Sequence, residues 1–296
     1  MEFFLQLLIN GLSIGLLYGL SALGFVMIFK ASSVLNFAHG QLLAIGAFFF
    51  LVLVSWLKIP VVLAFIVTLA GSFVLGFVVE RIFLRPLIGE SLIFVIMLTV
   101  GLSSMFKGLL LFFFGGNLQT YPDFLPLGLA LQMGTIYVPP VYVASSLMGG
   151  AFLLLFGLFF KYSPQGIFMR SVADNQTAAM SLGVHVKKVF ALSWAIAAMV
   201  AGMSGIVLGI INGVNVHEIS SIGLKVFPVV ILGGLDSVGG AIVGGVVMGV
   251  LENLAGGYLD PLVGGGAKEV APFIVLVLIL SVKPYGLFGK VKIERV

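Results

Sequence analysis

Cysteine is missing from this sequence of 296 residues, which excludes disulfide bonds and thiol chemistry within the chain. Charged residues make up only 9% of it, against about 25% in soluble globular domains. The three histidines, His39, His185 and His217, fall in separate regions. Because a metal site needs several ligands close together, these isolated histidines predict no metal site.

The motifs of intramembrane catalysis and of nucleotide binding are also absent. Intramembrane hydrolysis needs a matched set, such as Ser with His or Lys, two aspartates at membrane depth, or an HExxH helix. None of these occurs, and the glycine-rich residues 233–240 lack the GK[ST] ending of a phosphate-binding loop. We therefore expect no enzyme activity and no cofactor. The small net charge of +4 does not suggest nucleic acid.

What the chain does contain is apolar sequence. Hydrophobic residues make up 60% of it, and the mean hydropathy is +1.24. Several runs reach or approach the ~20 residues that a helix needs to cross a bilayer. The sequence predicts an all-α, polytopic transmembrane helical bundle that forms one domain over residues 1–296. We expect about eight or nine membrane segments, including one or two half-helices, at residues 3–29, 41–54, 60–80, 91–114, 141–160, 189–211, 222–235, 241–254 and 270–282.

The basic residues predict the orientation of this bundle. Cytoplasmic loops carry an excess of Lys and Arg, and an external N-terminus with a cytoplasmic C-terminus places eleven of the fifteen inside. Those eleven are Lys30, Arg81, Arg85, Lys161, Arg170, Lys187, Lys188, Lys283, Lys290, Lys292 and Arg295. The least certain segment is residues 222–235, which contains Pro228. It predicts a half-helix or a tilted span after an external loop at 212–221.

Residues 161–188 form a polar stretch between two long apolar runs. Pro164 ends the preceding helix, Asp174 and Asn175 are good N-cap residues, and Gly183 suits a left-handed C-cap. The sequence thus predicts a short capped helix at 176–182 on the cytoplasmic side. It is either a solvated loop or a docking helix that presents its apolar residues, Ala178, Ala179 and Leu182, to a partner.

A second polar cluster interrupts the apolar sequence near the N-terminus, at Asn36, His39 and Gln41. Polar groups at membrane depth need internal partners. One interpretation is helix capping and interhelical hydrogen bonding. The other is a broken helix that lines a translocation path.

Small residues recur at four-residue spacing in several apolar runs. Such rows let two membrane helices approach closely. The residues that we expect to serve helix packing are Gly11, Gly15, Gly19, Ala201, Gly205, Gly244 and Gly245.

Acidic residues, in contrast, lie almost entirely at the ends of the predicted spans. Ion-coupled carriers usually keep charged residues inside the bundle. This placement argues against proton or sodium coupling and indicates that energy comes from outside the chain. A stand-alone channel or secondary transporter is the alternative.

Three sets of residues resemble a known family. The runs GLSIGLLYGLSALG at 11–24 and VLNFAHG at 34–40 look like the amino-terminal signature of bacterial branched-chain amino acid ABC transporter permeases of the LivH type. LGGL at 232–235 and GGAIVGG at 239–245 resemble the carboxy-terminal glycine-rich pair of that family. The polar stretch resembles its cytoplasmic coupling segment, and the residues expected to dock an ATPase subunit are Gly166, Arg170, Ala173, Asp174, Asn175, Ala178, Ala179 and Gly183.

The resemblance implies a larger machine in the bacterial inner membrane. Family members pair with a second, related permease, two cytoplasmic ATPase subunits and a periplasmic amino-acid-binding protein. It implies alternating access driven by ATP in the partner subunits, with Leu, Ile or Val as substrate. A path through Asn36, His39 and Gln41 would then hold the amino acid weakly. Permeases for urea and short amides share much of the pattern, so they and permeases for other amino acids stay as alternatives.

Overall fold

The computed structural model describes residues 2–32, 34–123, 131–133 and 136–289. Helices α1 to α5 are Glu2–Ser32, His39–Leu51, Val61–Val79, Leu92–Phe114 and Pro140–Tyr162. Helices α6 to α12 are Pro164–Asp174, Gln176–Ser181, Val186–Asn212, Val216–Gly233, Val238–Tyr258, Asp260–Val263 and Ala267–Val282. A π-helical turn, Val52–Trp56, extends α2, and a π-helical and a 3-10 turn, Glu80–Leu84 and Arg85–Leu87, extend α3.

Two three-residue strands pair between α4 and α5. β1, Leu131–Met133, and β2, Ile136–Val138, form an antiparallel hairpin in which Gln132 lies opposite Tyr137. The hairpin is too short to change the class of the fold, which is helical throughout the membrane segments.

Eight helical segments of the described chain are long and apolar enough to cross a membrane. They are Glu2–Ser32, His39–Trp56, Val61–Leu87, Leu92–Phe114, Pro140–Tyr162, Val186–Asn212, Val216–Gly233 and Val238–Tyr258. This confirms the predicted all-α, polytopic transmembrane class. The ninth predicted segment, 270–282, lies in α12, whose 16 residues make a short helix.

Helix α9 differs from the prediction of an external loop at 212–221 followed by a half-helix or a tilted span, because the helix begins within the predicted loop. It begins at Val216 and ends at Gly233, a length of 18 residues, with Pro228 inside it. Asn215 starts it, because its side-chain oxygen accepts hydrogen bonds from the backbone N–H groups of His217 at 2.8 Å and Glu218 at 3.3 Å. The sequence prediction overlooked this cap. As a result, residues 216–221, which were expected to belong to a loop, are helical.

The described chain divides into two compact units. The first comprises Met1–Ala22, Leu125–Leu153 and Lys225–Val296, and the second comprises Leu23–Phe124 and Leu154–Leu224.

In the first unit, the glycine row of α1 lies against α10. A Cβ atom built on Gly15 would lie 2.7 Å from Cα of Val246, and one on Gly11 would lie 2.8 Å from Cα of Val250. Gly19 follows on the same face, where a Cβ atom would lie 3.3 Å from Cα of Ile242. The backbones of α1 and α10 therefore touch directly, with no room for a side chain between them.

The neighbouring glycines Gly244 and Gly245 of α10 serve two different helices. A Cβ atom on Gly245 would lie 2.5 Å from Cα of Gly19 in α1. One on Gly244 would lie 3.3 Å from Cα of Gly233 in α9. The glycine pair thus packs α10 between α1 and α9 within one chain.

In the second unit, helix α8 packs against both α2 and α3. Gly46 of α2 faces Gly202 of α8, where a Cβ atom would lie 2.8 Å from the Gly202 carbonyl oxygen. A Cβ atom on Gly205 of α8 would lie 2.8 Å from the carbonyl carbon of Leu43 in α2. Ala201, one turn earlier in α8, is fully buried. Small residues bring α2 into backbone contact with α8, which makes α8 the centre of this unit.

The close contact at Gly245 predicts a strong response to one methyl group. We expect Gly245→Ala to destabilise the chain by about 1–3 kcal/mol, because its new Cβ meets backbone that has no rotamer to change. Gly108→Ala is the matched control, since Gly108 has nothing within 4 Å of a Cβ position. Thermal unfolding in detergent, followed by fluorescence-detected size exclusion, measures both variants. Equal melting temperatures for the two would contradict the packing role.

Candidate functional site

The polar stretch contains two helices, where the sequence predicted one. Pro164 does follow the end of α5, as expected, but it also begins α6. The Ser163 hydroxyl oxygen accepts a hydrogen bond from the Gly166 N–H at 2.9 Å, so Ser163 is the N-cap and Pro164 takes the first helical position. A serine followed by proline is a recognisable helix start, and this signal in the sequence was missed.

Arg170 and Gly166 hold α6 against the end of α5. The Arg170 guanidinium donates hydrogen bonds to the carbonyl oxygens of Phe160 at 2.9 Å and Lys161 at 3.0 Å, and it lies 5.6 Å from the centre of the Phe160 ring. These carbonyls belong to the last turn of α5, which has no helical N–H groups to satisfy them. A Cβ atom on Gly166 would lie 2.8 Å from the Phe160 carbonyl carbon, so only glycine permits this approach.

Helix α7 has the caps that the sequence predicted. The Asn175 side-chain oxygen accepts a hydrogen bond from the Ala178 N–H at 2.9 Å. At the other end, Gly183 adopts the left-handed conformation with φ of +83°, and the Val184 N–H donates to the Ala179 carbonyl oxygen at 3.0 Å. This pattern closes the C-terminus of the helix in the manner of a Schellman cap. Both ends of α7 are therefore defined by local hydrogen bonds.

The exposure of α7 corrects which residues are available to a partner. Ala179 is 2% exposed, so it packs inside the chain and does not present a surface. Ala178 is exposed, as is Leu182, at 83%, with Met180 beside it at 54%. Large apolar side chains that remain exposed on a polar segment are typical of a protein contact.

The remaining predicted docking residues lie at the junction of α6 and α7. Asp174 is exposed at the end of α6, and Ala173 is half-buried beside it. Both α6 and α7 pack against α8. Gln176, the first residue of α7, also lines a cavity of about 280 Å³ together with Ser32, Glu80 and Trp194. The segment is therefore joined to the second unit through α5 and α8.

The polar cluster at residues 36–41 lies where α2 begins: Asn36 is in the interruption between α1 and α2, and His39 and Gln41 are in the first turn of α2. Asn36 and His39 are fully buried, and Gln41 is 7% exposed. The Asn36 side-chain oxygen accepts from the Ala38 N–H at 3.0 Å, and the His39 ring meets the Phe25 ring edge-on at 5.9 Å between centroids. This burial favours the interpretation as capping and packing, and a substrate path through these residues would need α1 and α2 to separate.

Thr99 of α4 forms a hydrogen bond with the backbone of the interruption between α1 and α2. Its hydroxyl oxygen accepts a hydrogen bond from the Phe37 N–H at 3.3 Å. Non-helical backbone at membrane depth has N–H groups that water cannot reach. The hydroxyl therefore stabilises the break in helical structure.

A partly buried ion pair between α9 and α10 was missed by the sequence analysis. The Lys225 ammonium contacts one oxygen of Glu252 at 2.5 Å, and the Tyr18 hydroxyl donates a hydrogen bond to the other at 2.7 Å. Glu252 is 3% exposed and lies within α10, six residues before its end at Tyr258. Glu252 is an exception to the expectation that acidic residues lie almost entirely at span ends. The available signal was a lysine and a glutamate inside two otherwise apolar runs.

Comparison with known proteins agrees with this architecture. The family described as branched-chain amino acid transport system / permease component matches residues 7–282. The chain is 28% identical to the high-affinity branched-chain amino acid transport system permease protein BraD of Pseudomonas aeruginosa, over 99% of this chain and 98% of that protein. It is 27% identical to the corresponding protein LivH of Escherichia coli K12, again over 99% and 98%.

A solved structure shares the fold at low sequence identity. PsaBC from Streptococcus pneumoniae, in complex with Fab, superposes with a TM-score of 0.51 and 16% identity over 95% of each chain. This likeness concerns the fold alone. The family match covers nearly the whole chain, and the chain therefore belongs to the family of branched-chain amino acid transport system permease components.

Proposed function

We propose that this chain is the membrane-spanning permease subunit of an ATP-binding cassette importer for Leu, Ile and Val. The observation that carries the proposal is the family match over residues 7–282, together with relatives whose names specify branched-chain amino acid transport over almost their whole length. Two cytoplasmic ATPase subunits, a second permease and a periplasmic binding protein complete the importer in the inner membrane.

The capped helices α6 and α7 support a coupling role. Arg170 ties α6 to the last turn of α5, and both short helices pack against α8. Helix α8 in turn packs against α2 and α3. A push on α7 from an ATPase subunit would therefore reach the membrane helices through rigid contacts, and alternating access would follow from that displacement.

The alternative substrates have less support. A xylose/arabinose import permease of Sulfolobus acidocaldarius, XylH, is 30% identical, but only over 48% of this chain. The relatives that cover the whole chain carry branched-chain names. The path residues Asn36, His39 and Gln41 are retained as a hypothesis within this function, with the separation of α1 and α2 as its condition.

Reconstitution tests the function directly. The chain is assembled with the ATPases, second permease and binding protein encoded beside it, and the complex is placed in proteoliposomes. We expect uptake of labelled leucine that requires both ATP and the binding protein. ATP-dependent uptake of urea or acetamide, without uptake of leucine, would replace the proposal with the amide permease.

Docking by α7 is tested in the same preparation. Because Leu182 is the most exposed apolar residue of the coupling segment, Leu182→Glu should abolish co-purification of the ATPase subunits and lower uptake at least tenfold, while the chain still inserts in the membrane. Asn117→Glu adds the same charge at an exposed position between α4 and β1 and should change neither. Full assembly of the Leu182→Glu complex would show that the ATPase binds elsewhere.

The proposed orientation places the N-terminus and residues 115–140 outside and the coupling segment inside. The natural chain has no cysteine, so single cysteines report position without background. We expect an impermeant maleimide to label Asn117→Cys and Asp123→Cys in intact cells, and to label Gln176→Cys only after the cells are opened. The reverse pattern would invert the topology.

A further inference from the structure

Two charged groups meet inside membrane spans of the first unit. Lys225 is near the middle of α9, Glu252 lies within α10, and their charged ends are 2.5 Å apart. A charged side chain within a span is costly and most often marks a ligand or ion site. Nothing in the transport role described above uses this pair.

The two members of the pair differ in burial. The Glu252 side chain is 5% exposed, whereas that of Lys225 is 29% exposed. Tyr18 holds the second carboxylate oxygen at 2.7 Å, so Glu252 is fixed in place from both sides. An ammonium group that remains partly open at membrane depth is unstable against hydrocarbon, and its open side must face water or other polar groups. Lys225 is therefore placed to meet a ligand.

We propose that Lys225 and Glu252 form a subsite for a zwitterionic amino acid on its way through the membrane. The Lys225 ammonium would pair with the substrate α-carboxylate, and Glu252 would pair with the substrate α-ammonium. Each protein charge exchanges one partner for another, so no charge is left unpaired in a medium of low dielectric. The inference rests on the proposed function and adds the site that binds the α-carboxylate and α-ammonium groups of the substrate.

The surroundings of the pair combine apolar side chains, which suit an aliphatic substrate, with two further charged residues, Lys268 and Glu269. Val229, Met248 and Phe273 line a cavity at the pair that measures about 10 Å³, too small for an amino acid. The pair is thus closed in this structure, and α9 and α10 would have to part to admit substrate. Urea and short amides carry neither charge and could not replace either partner, so such a site selects against them.

A purely structural ion pair is the rival explanation, and paired neutral variants separate the two. Lys225→Gln leaves the buried Glu252 carboxylate without its ion partner, and Glu252→Gln leaves the partly buried Lys225 ammonium without one. Both explanations therefore predict lower thermal stability. The double variant removes both charges and should recover stability. In the same reconstituted importer we expect its leucine uptake to stay at least about tenfold below that of the native complex, as for the loss of charge-assisted hydrogen bonds to a substrate. Native uptake by the double variant would overturn the proposal.

Lys107→Gln in α4 is the matched control, because it removes another lysine from a membrane span, and its uptake should equal that of the native complex.

A second measurement keeps both charges of the pair. In a Phe273→Cys variant, L-leucine should slow maleimide labelling, and 4-methylpentanoate, which lacks the ammonium group, should not. Equal protection by both compounds, or protection by neither, would contradict the subsite. If the native importer moves no leucine at all, the proposed function fails instead, independently of these variants.

Discussion

Direct contact between helix backbones is the constraint on which this fold depends. Within a bilayer, apolar side chains gain nothing by leaving lipid for one another, so helices associate through close packing and polar contacts. At Gly15 and Gly245 the backbones of α1 and α10 approach so closely that one methyl group cannot enter. The same device joins α2 to α8 at Gly46 and Gly202. Stability in each unit therefore depends on glycine at a few positions more than on the size of the apolar residues around them.

Polar groups occur where this close packing alone cannot complete the structure. Arg170 satisfies carbonyls that the end of α5 leaves open, Asn175 starts α7, and Thr99 supports the break between α1 and α2. Each replaces a missing helical hydrogen bond with a side-chain hydrogen bond. The ion pair of Lys225 and Glu252 has no such backbone role, which is the reason to connect it with substrate.

The sequence predicts much of this structure because hydropathy and capping are local properties. The spans, the cap at Asn175 and the left-handed Gly183 all follow from short patterns. Contacts across the fold are not local. The sequence could not tell that Ala179 of α7 faces inward while Leu182, the residue after that helix, faces out, since this depends on how α7 packs against α8. Nor could it show that Lys225 meets Glu252, because pairing depends on how α9 and α10 pack.

The proposed coupling requires α6 and α7 to move as one rigid body with the end of α5, to which Arg170 ties α6. Spin labels on cysteines at Thr177 in α7 and Leu155 in α5 test it in the complete importer, since both positions are exposed and the natural chain has no cysteine. We expect the same distance distribution without nucleotide and with bound ATP, and a broader one in Arg170→Ala. A distance that changes between the two nucleotide states, with Arg170 intact, would contradict it.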